Sequence, residues 1–189
     1  EVAGLRVTLH DAGHVFGSAM VEVQGDEGSL LYTGDFNPRD GLTCGRAEPR
    51  EAETLVMEST YGDPRFDLPP KEMVLEGLER WMLSRLVNGP VALGAYPLGR
   101  AQELIHLANR AGITPIVSPD IASLTAVYNA HGHDLSYAVA GTQRAADLGC
   151  TFFDTAFAYG NGRSEGLLGR LVKANPDKKL YTATKVPPK

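Results

Sequence analysis

Two residues with metal-binding side chains stand beside glycines at the predicted ends of strands. His14 lies in the stretch DAGHVFGSAM at residues 11–20, and Asp35 lies in YTGDF at residues 32–36. Imidazole and carboxylate groups are common zinc ligands, and glycine lets the backbone turn sharply and approach a metal closely. The pattern predicts two ligands of a metal site, although a histidine and an aspartate at this spacing are also common as structural residues.

A second set of residues could transfer a proton. Asp154 ends a predicted strand, Tyr159 lies five residues further on, and Lys185 ends the next predicted strand. In a parallel βα arrangement the carboxyl ends of neighbouring strands converge on one face. A tyrosine beside an ammonium and a carboxylate is a suitable proton donor, because the ammonium favours the ionised phenol. Spacing alone leaves this site and an unconnected set of surface residues both open.

The elements that position these residues are predicted from hydrophobic periodicity and from turn residues. An antiparallel meander is predicted at 5–9, 20–23 and 29–33, followed by a strand at 54–57. The middle of the chain alternates between helix and strand, which indicates a parallel sheet. Its predicted elements are a helix at 71–88, a strand at 91–93, a helix at 100–111, a strand at 113–117 and a helix at 121–130 capped by Asp120. The alternation then restarts with a helix at 144–148, a strand at 151–153, a helix capped by Ser164 and a strand at 180–184.

Composition describes a globular chain of mixed α and β structure. The 189 residues are 43% hydrophobic and 22% charged, and no apolar run reaches the roughly 20 residues that span a bilayer. The chain has two widely separated cysteines and no signal-peptide pattern at its start, so we expect a reducing, cytoplasmic location and no membrane. Residues 1–62 carry a net charge of −7 and residues 139–189 carry +4. The acidic first part would repel nucleic acid unless bound cations reverse the local field.

The amino-acid motifs in the first two-thirds of the chain closely resemble those of a known family. The stretches at residues 11–20 and 32–36 are followed by MESTYG at residues 57–62 and LGAYPLGRAQEL at residues 93–104. In this order they resemble the β-CASP branch of the metallo-β-lactamase superfamily, whose members process RNA 3′ ends or trim DNA. The resemblance covers residues 4–138 and is strongest to the exonuclease associated with bacterial DNA ligases.

That resemblance implies a two-zinc phosphodiester hydrolase acting on DNA or RNA. His14 would bind one zinc ion, Asp35 would bridge both, and Glu58 would orient a zinc-bound histidine or assist proton transfer. Arg100 opens a helix after a strand, where an anion is favoured, so it is a candidate phosphate contact. An exposed arginine at a helix start is an equal alternative for Arg100, and a surface carboxylate at a strand end is the alternative for Glu58.

The family's His-x-His-x-Asp-His ligand motif does not occur in these 189 residues. Because catalytic zinc normally has three protein ligands, we expect the isolated chain to be inactive unless a partner chain supplies the others. The HGHD stretch at residues 131–134 is similar in composition but lacks the final spacing, and it is predicted to be a solvated loop.

The amino-acid motifs in the last fifty residues resemble those of a different family. The stretches LGCTFFDTAFAYG at 148–160, GRSEGLLG at 162–169 and ATKV at 183–186 resemble the aldo-keto reductases, which are (β/α)8 barrels using NADPH to reduce carbonyls. Asp154, Tyr159 and Lys185 would be the catalytic residues, with Tyr159 as the acid. The resemblance covers only two to three of the eight βα units, so we expect neither NADPH binding nor turnover.

The predicted organisation is therefore an α/β chain in three parts. Residues 1–62 form a partial metallo-β-lactamase-like segment, residues 63–138 a partial β-CASP-like segment, and residues 139–189 a fragment of a (β/α)8 barrel. The two resemblances meet without a linker near residues 137–142, which indicates a fusion of two fragments. Three functional hypotheses follow: a zinc-dependent nuclease, an NADPH-dependent reductase, and a non-catalytic chimera.

Overall fold

A computed structural model describes residues 4–141, 143–154 and 162–184 of the chain. Its first part is a four-stranded sheet of order β1-β2-β3-β4. The strands are β1 (Arg6–Asp11), β2 (Ala19–Gly25), β3 (Gly28–Tyr32) and β4 (Thr54–Val56). The first three pair antiparallel, as predicted, and β4 joins β3 in parallel.

The two faces of this sheet differ in burial. Met20 and Leu31 point to one face, where they form a small core with Ala12 and Ala47. The strand register places a second set of apolar residues on the opposite face, where they remain exposed: Val7, Leu9, Leu30, Tyr32 and Val56. The sheet therefore has an uncovered apolar face among the described residues.

The middle part consists of three helices and a short parallel pair of strands. Its elements are α1 (Lys71–Leu86), α2 (Arg100–Arg110), β5 (Ile116–Val117), α3 (Pro119–Ala130) and β6 (Ala138–Val139). Ile105, Tyr128 and Leu135 belong to the core of this part. Since β5 and β6 pair in parallel, the parallel arrangement predicted here is confirmed in a two-stranded form.

The last part repeats the alternation. Its elements are α4 (Gln143–Asp147), β7 (Phe152–Asp154), α5 (Arg163–Ala174) and β8 (Tyr181–Ala183). Strands β7 and β8 pair in parallel, and Phe153, Leu168 and Leu171 are buried between them and the helices. The chain taken as a whole is thus of mixed α and β class, as the sequence predicts.

Three local predictions are wrong. Residues 91–93 form no strand; they run irregularly along an apolar cavity instead of pairing with β5. Asp120 does not cap α3, because the helix begins at Pro119, two residues earlier than predicted, and the Ser118 hydroxyl accepts from the Ile121 amide at 3.4 Å. Ser164 lies inside the first turn of α5, whose N-cap is Gly162 at a φ of 81°.

No helix in the described part of the chain is long and apolar enough to cross a membrane.

Candidate functional site

The loop that carries His14 connects β1 to β2 and is fixed by backbone hydrogen bonds. The Ala12 amide donates to Ser18 O at 3.0 Å, and the Asn37 amide donates to Ala12 O at 2.8 Å. Gly13 has a φ of 66°, and a Cβ there would lie 2.5 Å from the Ala47 nitrogen. The loop therefore requires glycine at this position, because no larger residue fits against residue 47.

Asp35 follows the end of β3 in the turn beside this loop. Its Oδ2 lies 3.8 Å from His14 Nε2, and the two side chains are 71% and 49% exposed. Thr33 sets the preceding backbone, because its amide donates to Val56 O at 3.0 Å and its hydroxyl to Gly34 O at 2.7 Å. The structure thus brings together two residues that lie 21 positions apart in the sequence.

Glu58 lies on the adjacent segment just after β4. Its carboxylate accepts from the Thr60 amide at 3.0 Å and from the Phe36 amide at 3.4 Å, so it contacts the turn that carries Asp35. The pKa of Glu58 is lowered, chiefly by its hydrogen bonds with Thr60, with smaller contributions from the Phe36 amide and the nearby His14. An ionised carboxylate held by amides suits a positioning role better than that of a proton donor.

The side chains at this site supply only part of what zinc requires. His14 and Asp35 have suitable chemistry and are close enough to share an ion, while Glu58 is engaged by backbone amides. Within the described ranges, no group of three or more His, Cys, Asp or Glu side chains could hold a metal. These residues do not by themselves fit a catalytic zinc site, which normally takes three protein ligands.

Arg100 is the first residue of α2, at the end of the helix that adjoins the His14 loop. Gly99 precedes it at a φ of 78°, and a Cβ on Gly99 would overlap the side chain of Val15. The Arg100 guanidinium lies 3.1 Å from Glu103 and is 67% exposed. Its charge is therefore partly compensated, and a phosphate would have to compete with Glu103 for it.

Two buried polar residues that are not among the predicted site residues lie beside this loop, Gln102 at the start of α2 and Tyr128 on α3. Gln102 is fully buried; its Oε1 accepts from the Gly99 amide at 2.7 Å, and its Nε2 donates to Thr125 at 3.0 Å. The Tyr128 hydroxyl is buried without a hydrogen bond of normal geometry, beside the amides of Phe16 and Gly99. Burial raises its pKa, and the two amides oppose that effect. For Gln102, the sequence signal is a glutamine at the third position of a helix, where a capping box places one.

The HGHD stretch at residues 131–134 follows α3 as a turn, as predicted, but it is not wholly solvated. The ring of His133 packs edge-on against Phe16 with centroids 5.0 Å apart, and Tyr128 lies within 5.4 Å of it. Through these ring contacts the end of α3 packs against the His14 loop.

The residues predicted for carbonyl reduction fall largely outside the described part of the chain. Asp154 is the last residue of β7, where its backbone pairs with Ala183 of β8. Tyr159, Lys185 and the side chain of Asp154 lie outside the described residues, so their predicted site stays a prediction.

Comparison with known proteins finds relatives that process nucleic acids. The chain is 38% identical over 128 residues to a probable DNA ligase of Opitutus terrae. The aligned region covers 67% of this chain and 13% of that protein. It is 38% identical over 106 residues to the transcription termination factor FttA of Methanothermobacter thermautotrophicus. The aligned region covers 53% of this chain and 17% of that protein. It is 33% identical over 109 residues to an RNase J-like protein of Methanocaldococcus jannaschii. The aligned region covers 56% of this chain and 26% of that protein. The chain therefore spans about a quarter or less of the length of these relatives.

A second comparison concerns the end of the chain, where the model of the aldo/keto reductase family matches residues 121–189. The chain resembles two families. Its N-terminal part resembles the β-CASP metallo-β-lactamase nucleases, and its C-terminal part resembles the aldo-keto reductases, as the motifs indicate. The reductase match begins at residue 121, so it includes α3 and β6 as well as the predicted 139–189 fragment.

A solved structure shares the overall fold. A protein of unknown function from Enterococcus faecalis aligns over 97% of this chain and 52% of its own, with a TM-score of 0.50 and 13% sequence identity. At that identity the likeness concerns the fold alone.

Proposed function

We propose that this chain carries part of the metal centre of a phosphodiester hydrolase acting on DNA or RNA ends. The observation that carries the proposal is the meeting of His14 and Asp35, 3.8 Å apart, beside the Glu58 segment. These residues come from three separate motifs, each placed after a strand of the same sheet. The relatives' roles in nucleic-acid processing support the same class of function.

In this proposal His14 and Asp35 are two ligands of a larger set, and Glu58 positions the turn of Asp35. Arg100, at the start of the neighbouring helix, is the candidate contact for a substrate phosphate. The acidic first part of the chain, with a net charge of −7 over residues 1–62, makes bound cations a requirement for nucleic-acid binding. We infer zinc as the cation from the family resemblance and from the imidazole and carboxylate donors.

The test is zinc affinity, measured by competition with a chromophoric chelator. We expect His14→Ala and Asp35→Asn each to weaken zinc binding about tenfold, which corresponds to about 1.4 kcal/mol. His106→Ala removes an imidazole from the middle of α2 and is the matched control, expected to leave zinc affinity unchanged. Equal zinc affinity in all four proteins would refute the proposed ligands.

A second measurement concerns the substrate. Hydrolysis of end-labelled DNA and RNA oligonucleotides would be followed with zinc present, for the chain alone and after addition of a segment carrying the His-x-His-x-Asp-His motif. We expect cleavage only in the second case, and expect it to be abolished by Asp35→Asn. Cleavage that persists in the Asp35→Asn protein would contradict this site.

We propose NADPH-dependent carbonyl reduction as a second candidate, for which the pairing of β7 and β8 is the favouring observation. Because Asp154 pairs with Ala183, the ends of the two strands lie side by side, and Lys185 follows two residues later in the sequence. A rise in melting temperature with added NADPH would support this candidate, and an unchanged melting temperature at millimolar NADPH would exclude it in favour of a non-catalytic tail.

A further inference from the structure

An apolar cavity of about 780 Å³ lies between the middle part of the chain and its reductase-like end. Helices α1 and α2 form one side, β5 another, and residues 148–152 the third. Met82, Leu104, Ile105, Val117 and Phe152 are among the side chains that line it. The cavity is therefore a feature of the junction between the two families, and it contains none of the residues proposed for the metal centre.

The cavity exists because the short sheet stops early. Strand β5 is hydrogen-bonded to β6 and, within the described residues, to no other strand. Residues 91–93, which the sequence predicts as a neighbouring strand, instead run along the cavity without pairing. Close-packed interiors leave few voids larger than a water molecule, whereas ligand pockets measure about 300–1,000 Å³. The volume falls in the second range.

The chemistry of the lining restricts what can occupy the cavity. Among the described residues that line it none is charged, and the polar side chains are limited to Thr114, Ser118, Cys150 and Thr151. Burial raises the pKa of the Cys150 thiol, so this group stays neutral as well. The cavity is partly open to solvent, since Phe152 in its lining is 62% exposed; a phosphate or carboxylate placed against this lining would lose part of its hydration without gaining a charged partner.

We propose that this cavity binds an uncharged, mainly apolar small molecule, with hydroxyl-bearing side chains available for a single polar group. The site is distinct from the proposed metal centre and does not depend on it. Its preferred ligands are compounds without phosphate, which separates it from a nucleic-acid site.

The test uses N-phenyl-1-naphthylamine, an uncharged probe that fluoresces in apolar surroundings, and two leucines of α1. Leu86 lines the cavity and is 39% exposed, while Leu83 is 44% exposed and does not line it. We expect saturable binding to the intact chain at one probe per chain. Leu86→Asp is expected to weaken it at least tenfold, and Leu83→Asp to leave it within twofold. Because both leucines are partly exposed on the same helix, both variants should fold, and circular dichroism verifies this.

Three results would overturn the proposal: no saturable binding to the folded chain, equal weakening by the two substitutions, or probe affinity that falls as protein concentration rises. The last would show that a second copy of the chain covers the cavity.

Alkylation of Cys150 gives an independent readout, since its thiol is at the cavity wall. In a Cys44→Ser chain, saturating probe should slow alkylation at least fivefold, and an unchanged rate would count against the site.

Discussion

Gln102 allows the connection between α2 and the His14 loop to be tested quantitatively. Its side chain is fully buried and makes three hydrogen bonds, with the Gly99 amide at 2.7 Å and with Pro97 O and Thr125 at 3.0 Å each. Gln102→Leu keeps an apolar side chain of similar size but leaves the Gly99 N–H and the Pro97 carbonyl without their partner. At about 1.5 kcal/mol for each of these two groups, the free energy of unfolding should fall by about 3 kcal/mol.

The assay is urea denaturation followed by far-UV circular dichroism. With a slope of about 2 kcal/mol per molar urea, the loss corresponds to a midpoint lower by about 1.5 M. Gln143→Leu is the matched control, because Gln143 is exposed on α4 and its hydrogen bonds to Asp147 and Asn175 are replaced by water. We expect that control to change stability by less than about 0.5 kcal/mol.

A double-mutant cycle with Thr125→Val isolates one of the three bonds. The Thr125 hydroxyl also donates to Ile121 O at 2.7 Å, so the single Thr125 variant loses more than the Gln102 contact. The coupling energy between Gln102 and Thr125 should be about 1 kcal/mol. If Gln102→Leu destabilises no more than Gln143→Leu, the buried glutamine does not hold this helix end, and the reasoning is refuted.

Three further predictions concern the first part of the chain. In the same urea assay, Gly13→Ala should lower the free energy of unfolding by at least about 2 kcal/mol more than Gly17→Ala. Both glycines have a positive φ, but only Gly13 is crowded by neighbouring backbone. Equal losses of stability would contradict this. Glu22 has a lowered pKa, mainly through its 2.6 Å hydrogen bond with His10, so this pair stabilises the fold above pH 4.5 and less as the pH falls below it. Glu22→Gln should therefore flatten the acid limb of the stability profile, and an unchanged limb would exclude this pair as its cause. Burial raises the pKa of Cys44, so in a Cys150→Ser chain its thiol should react with Ellman's reagent more slowly at pH 8 when folded than in urea; equal rates would show an accessible thiol.

The sequence predicts best where periodicity and turn residues agree. The meander β1–β3 is an example, because alternating residues and the Gly25–Gly28 turn specify both pairing and register. Helices α1 and α2 are also found close to their predicted bounds. The motifs further predict that His14 and Asp35 belong to one site, and the structure places them 3.8 Å apart.

What the sequence could not predict depends on distant contacts. Residues 91–93 have the composition of a buried strand, yet they stay unpaired among the described residues, where β5 pairs with β6 on one edge alone. Strand formation depends on long-range pairing that local composition does not specify. Gln102 looks like an ordinary helix residue until α3 brings Thr125 against it. The sequence predicts no element at residues 138–139, and the structure forms β6 there, because pairing with β5 imposes an extended conformation that two residues cannot specify locally.

The parallel pair of β5 and β6 also affects how the chain can be divided. The predicted boundary at residue 138 falls inside β6, whose Ala138 pairs with Ile116 and whose Val139 pairs with Val117. Truncation there would remove half of a strand from the nuclease-like side and expose Leu135 and Ala138, which are buried. Limited proteolysis should therefore release no stable fragment ending at residue 138. Although its two ends resemble different families, we expect the described part of the chain to resist division at this strand.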